Sequence, residues 1–347
     1  MFNKNILLCL VLAFSFSPLV VADTVKLNPD HPERYVVVKG DTLWDISERF
    51  LQDPWLWPKV WNINPAIKNP HLIYPGDVIA LIFVEGKPML TVERGRPTVK
   101  LSPQKRISKI DTAIPTIPID AIKQFLEYPR VLTEKQLESA AYIVAGEEGR
   151  LISGAENKIY VRGIKHNDLQ KFSIYRPGDA YIDPTSKKKE ILGYEAIHVA
   201  DSIVLKHGDP ATLLIQSSNH EVLIGDRLLP ISKDMDINQF FQPHAPEADV
   251  NGLIISVLNG VSRIAQFDIV VLNLGTENNI EPGHVMAIRQ KGQEIRDTVN
   301  PKMGKTVRLP DEHAGTMMVI LPFERVSYAL VMEATKDIRV LDSVVNP

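Results

Sequence analysis

Four tryptophans stand out first, because their type and spacing suit contact with a ring-bearing ligand. Trp44, Trp55, Trp57 and Trp61 are all the tryptophan in 347 residues, and all lie in the stretch "YVVVKGDTLWDISERFLQDPWLWPKVWNINP" from Tyr35 to Pro65. Clustered aromatic faces either stack on a ligand or hold a small domain together, each burying roughly 150–250 Å². Other reactive side chains are dispersed. The nine histidines, at 31, 71, 166, 198, 207, 220, 244, 284 and 313, form no H-x-H or H-E-x-x-H pair. They read as surface and turn residues, and no metal or cofactor is expected. The single cysteine, Cys9, lies in an N-terminal apolar run. A chain trimmed behind that run has no thiol for a disulfide or for covalent catalysis. Glu138-Ser139 places an acid near a helix end, as some glycan-cleaving enzymes do, but little helix surrounds it. No Ser-x-x-Lys stands beside partner motifs, and "KGQEIRDTVNPKMGK" lacks the spacing of a phosphate loop. No catalytic residue is expected.

The elements that must position the tryptophans are short. Tyr35 to Val38 is a β-branched strand, and Gly40-Asp41 is a turn signal. Asp41 suits the cap of a helix whose face is Leu43, Ile46, Ser47 and Phe50. Pro54 stops that helix, and Pro58 suits the first turn of a second one carrying Trp57, Val60, Trp61 and Asn64 on one side. Pro65 ends it, "AIKNPHLIYPG" forms a polar loop, and Asp77 to Ile82 reads as a second strand. The order is β-α-α-β. A module this small has a marginal core, so Trp57 and Trp61, at helical spacing with Val60, read as core. Trp44 lies between core and groove, and Trp55, in the connecting loop, is expected to be the most exposed of the four.

This segment resembles the LysM module, a domain that binds peptidoglycan and chitin. The resemblance rests on "YVVVKGDTLWDI" from Tyr35 to Ile46, on Asn62 and Asn64, and on "LIYPGDVI" from Leu72 to Ile79. It covers residues 35–82 only. The stretch "LQDPWLWPK" is longer and more aromatic than many modules carry between their helices. The resemblance implies a shallow groove for N-acetylglucosamine, with Gly40, Asp41, Thr42 and Leu43 on one side and Asn69, Pro70, Leu72 and Ile73 on the other. Trp44 follows the groove turn directly and joins that set. Backbone amides on loops suit the sugar's amide and hydroxyls. One such groove is worth about −4 to −5.5 kcal/mol, a Kd near ~1 mM to ~100 μM, which a polymer of repeated sites makes tolerable. Structural alternatives stay open: Asp41 as a helix cap, Leu72 and Ile73 as the floor of the core, Tyr74-Pro75-Gly76 as a plain turn.

Outside the module, residues 1–22 read as a secretory signal: Lys4, an apolar run from Ile6 to Phe16, and Val20-Val21-Ala22 ahead of Asp23. A retained anchor helix is the alternative. The expected location is the periplasm of a bacterial envelope. Residues 84–118 are proline-rich and basic and read as an extended linker. Residues 119–145 read as a short helical segment, with Thr133 capping a helix to Ala141. From there β-rich runs repeat. "RPGDAYID" (Arg176 to Asp183) matches "EPGHVMAI" (Glu281 to Ile288), and "IGDRLLP" (Ile224 to Pro230) pairs with "VLDSVVNP" (Val340 to Pro347). Residues 146–230 and 252–345 therefore read as two copies of one small β unit, each with five or six strands in a closed or half-closed barrel. The fold class is α+β: a β-α-α-β module, a linker, and a duplicated, mainly β region. Net charge is −3, which gives no signal for nucleic acid. The expected function is non-catalytic binding to peptidoglycan glycan strands containing N-acetylglucosamine, with the β repeats engaging an envelope protein partner or acting as a spacer. The alternative is a peptidoglycan hydrolase with an unrecognised catalytic domain in residues 119–347.

Overall fold

The computed structural model describes residues 25–61, 73–93, 114–117, 130–165, 170–231, 242–258, 263–297, 299 and 306–347. By its contacts the chain divides into two compact units. Residues 25–39 with 44–93 belong to the smaller; residues 40–43 with those from 114 onward belong to the larger.

In the smaller unit, β1 (Arg34–Val36) leads toward helix α1 (Leu43–Phe50), whose first residue alone groups with the larger unit, then a 3-10 turn (Pro54–Leu56) and helix α2 (Trp57–Trp61). Strands β2 (Val78–Val84) and β3 (Lys87–Glu93) follow, and the sheet order is β1-β2-β3. Helical periodicity selects the core: Leu43, Ile46, Ser47 and Phe50 are fully buried. Trp57 and Trp61 are buried and meet edge to face, with ring centroids 6.1 Å apart. Trp55 is the most exposed of the four, as expected, yet at 9 % it is still buried, because the 3-10 turn at Pro54 turns it inward. A second departure is β3. Residues 87–93, read as the start of the linker, fold back as a strand paired from Val84↔Lys87 to Val78↔Glu93. The two-residue turn Glu85-Gly86 has positive φ at both positions, the twist that a tight hairpin requires. Pro88 is tolerated because β3 is an edge strand.

The larger unit holds two barrels. The first is built from β4 (Arg130–Leu132), helix α3 (Glu134–Ser139), β5 (Ala141–Gly146), β6 (Ile152–Ser153), β7 (Lys158–Arg162), β8 (Lys171–Ile182), β9 (Ile191–Lys206), β10 (Ala211–Ser218), β11 (Val222–Leu223) and β12 (Arg227–Pro230). Thr133 caps α3 in a capping box with Gln136. Residues 141–145, read as part of a helical segment, lie in strand β5, whose buried residues alternate with exposed ones at its start. Six strands run in the order β10-β7-β5-β12-β8-β9, and β9 pairs with β10 to close the ring. β4 adds to β9 outside the ring, and β6 pairs with β11.

The second barrel comprises β13 (Asn251–Val257), β14 (Ile269–Leu272), β15 (Val285–Gln290), β18 (Glu312–Pro322), β19 (Ser327–Ala334) and β20 (Ser343–Val345), closed in the order β13-β14-β19-β18-β15-β20. A short hairpin, β16 (Glu294–Arg296) with β17 (Thr306–Arg308), projects from it. Closure removes free strand edges. Position for position, the pairing order equals that of the first barrel. One turn matches atom by atom. Asp226 Oδ2 accepts the N–H of Leu223 at 2.8 Å, and Asp342 Oδ2 accepts that of Arg339 at 2.8 Å. Gly225 N–H reaches Ile143 O at 2.9 Å, as Leu341 N–H reaches Ile254 O at 2.7 Å. Both Gly225 and Leu341 have positive φ, and both aspartates are buried. Between the barrels, the Tyr181 and Tyr328 hydroxyls meet at 3.3 Å, and Arg325 pairs with Glu190 at 2.7 Å. Burial holds both tyrosine hydroxyls well above the ordinary phenol range, so both are neutral hydrogen-bonding groups.

Candidate functional site

The turn after β1 is the half of the expected groove that the structure describes most fully. Gly40 has φ +102°, a left-handed conformation that glycine adopts without strain. Asp41, Thr42, Leu43 and Trp44 follow and are all buried, at 9, 3, 0 and 2 % exposure. No side chain of this set is an open stacking platform. The chemistry available to a sugar is that of the backbone. The Leu43 N–H is already engaged: it donates to the carbonyl of Pro115 at 3.0 Å. Pro115 belongs to the segment of residues 114–117, in which Ile114, Thr116 and Ile117 are buried.

On the return side, Ile73 is fully buried and so belongs to a core floor. The Tyr74-Pro75-Gly76-Asp77 turn is structural. Asp77 Oδ2 accepts the Tyr74 N–H at 3.1 Å, and Gly76 N–H and Val37 O meet at 2.8 Å. Val37 N–H in turn reaches Asp77 O at 2.9 Å, which ties the turn to the end of β1. Asn69, Pro70 and Leu72, as well as Asn62 and Asn64, lie outside the described residues. The structure thus brings Gly40 to Leu43 into one turn and buries Ile73.

The residues that sequence reasoning missed are Ile114 to Ile117. Their signal was available, since two isoleucines in a polar, proline-rich stretch have little reason to stay in water.

Elsewhere, Ser173 Oγ donates to Asp201 Oδ1 at 2.7 Å, and His198 Nε2 lies 3.2 Å from the same oxygen. The order is Ser–Asp–His, whereas an activated serine needs the imidazole between hydroxyl and carboxylate.

Against known proteins, residues 35–81 match the LysM domain model. The chain is also 37 % identical over 70 residues to an uncharacterized protein, YqbP, of Bacillus subtilis (strain 168). The match covers 17 % of this chain and 32 % of that protein, so the chain spans about a third of its relative's length.

Proposed function

Because residues 35–81 are a LysM domain, we propose that this chain is a non-catalytic protein of the bacterial cell envelope that docks on peptidoglycan glycan strands. LysM domains bind glycans containing N-acetylglucosamine, and that family match is the observation carrying the proposal. The groove would lie at the Gly40–Leu43 turn and use backbone donors, in keeping with the burial of every side chain there from Asp41 to Trp44. Export through residues 1–22 and a periplasmic location are parts of the same reading.

The two barrels read as copies of one β unit. Their common pairing order and the matched Asp226 and Asp342 turns support this. A pair of closed barrels has the stiffness of a spacer and the surface of a protein-docking element, and both roles suit a chain whose glycan contact sits at one end of the sequence. Titrating the purified chain with soluble N-acetylglucosamine oligomers tests the glycan reading. Saturable binding with a Kd near ~100 μM to ~1 mM is expected. Incubation with insoluble sacculi tests the non-catalytic part: released muropeptides would contradict it.

A further inference from the structure

Three side chains converge where the strap between the barrels crosses the second barrel. His244 lies on that strap and forms an isolated parallel bridge with His284. His244 N–H donates to Gly283 O at 3.1 Å, and Val285 N–H returns to His244 O at 2.8 Å. Gly283 permits this approach: its φ is +94°, and a Cβ there would lie 2.4 Å from Gln242 O. The two imidazoles sit with centroids 4.7 Å apart and planes at 67°. Glu281 opens the Glu281-Pro282-Gly283-His284 turn, closed by His284 N–H to Glu281 O at 3.2 Å. One donor atom from each of His244, Glu281 and His284 lies within 4.8 Å of the other two.

We propose that His244, Glu281 and His284 bind a zinc-class divalent cation, which clamps the inter-barrel strap onto the second barrel. Tetrahedral ligands about 2.1 Å from zinc stand about 3.4 Å apart, so the widest separation closes by ~1.4 Å, within reach of side-chain rotation. Two imidazoles and a carboxylate favour a transition metal over calcium or magnesium. The outer support is in place, since a carbonyl can only accept. Gln242 O, 2.9 Å from His244 Nδ1, therefore holds the proton there and leaves Nε2 for a metal. His284 Nδ1 accepts the Glu281 N–H at 3.1 Å, so a cation displaces that backbone hydrogen bond in either case, by taking Nδ1 itself or by taking Nε2 once the ring proton has moved to Nδ1. The surrounding cleft, about 260 Å³, is also lined by Glu247.

The pairing registers set Tyr175 of the first barrel where Arg289 stands in the second, so Arg176-Pro177-Gly178-Asp179, which lies inside β8, is not the structural counterpart of the Glu281 turn that its sequence suggests.

The test uses the full chain, stripped with chelator and titrated with zinc and with cobalt(II). One equivalent per chain is expected, with the intense visible bands of tetrahedral cobalt and a rise in unfolding temperature with zinc. Glu281→Gln, at an exposed position, and His244→Gln should each weaken binding roughly a hundredfold or more, since outer partners alone are worth 10–100-fold. His220→Gln should leave it unchanged. Circular dichroism establishes that each variant is folded, and Glu281→Gln decides if His244→Gln is not. Failure of the folded chain to bind either cation at ~1 mM, or equal affinity in Glu281→Gln and the parent, would overturn the proposal.

Discussion

The backbone N–H of Leu43 donates to the carbonyl of Pro115 at 3.0 Å, so the turn proposed for the glycan is held by the protein's own chain. A sugar that uses this donor must displace residues 114–117. Replacing Ile114 and Ile117, buried at 4 and 0 %, with serine removes the apolar reason for the segment to stay. Affinity for N-acetylglucosamine oligomers should rise about fivefold, the equivalent of one net hydrogen bond of ~1 kcal/mol. Calorimetric titration of both proteins reads this directly, and equal or weaker binding by the variant argues against competition.

The tryptophans should behave as core. Trp57→Ala or Trp61→Ala should destabilise the smaller unit by about 3–5 kcal/mol, the usual cost of removing a large buried aromatic. Trp57→Phe should cost less, because the edge-to-face contact is partly kept. Since all four indoles are buried, saturating glycan should leave the fluorescence maximum nearly unshifted. A large blue shift on binding would mean that an indole is taken out of water by the sugar.

Asp226 and Asp342 occupy matched turns but carry different loads. Asp226 also binds Arg176, whose side chain is 31 % exposed, so solvent screens part of that pair. Asp226→Asn should therefore destabilise by about 1–2 kcal/mol more than Asp342→Asn, less than a fully buried pair would cost. Denaturant unfolding of the two variants provides the comparison.

Glu195 supplies a pH test. Burial first, and then the nearby charge of Asp179, hold its carboxyl above the ordinary range. A raised folded pKa means that the protonated form is the one favoured by folding. Its contribution is complete below the unfolded value of about 4.3 and is lost as pH rises through the folded one. Glu195→Gln should accordingly raise the unfolding temperature at pH 7, with the gain shrinking toward pH 4. A loss at pH 7 would indicate a stabilising partner for the ionised carboxylate.

Local periodicity made much of this fold legible. The face Leu43, Ile46, Ser47 and Phe50, and the cap at Thr133, follow from spacing and hydrogen-bonding type alone. The Gly225-Asp226 turn marked where β12 begins, because such a turn needs particular backbone angles, whereas Pro177-Gly178, read as a turn, lies inside β8. What stayed hidden depends on contacts far apart in sequence. β3 looked like linker because an edge strand tolerates the proline that argues against a central one. The burial of Trp55 was hidden because a 3-10 turn carries no periodic signature. His244 and His284 carry no spacing motif, since a closed barrel rather than a helix brings them together. For the candidate site, the Gly40 to Leu43 turn was readable from motif as a turn, while the engagement of the Leu43 N–H by Pro115 was not.

The most direct measurement is co-sedimentation with insoluble sacculi, comparing the full chain with a variant lacking residues 35–83. The full chain should pellet with the sacculi and the variant should remain in the supernatant. Equal pelleting of the two would contradict glycan docking through the LysM domain.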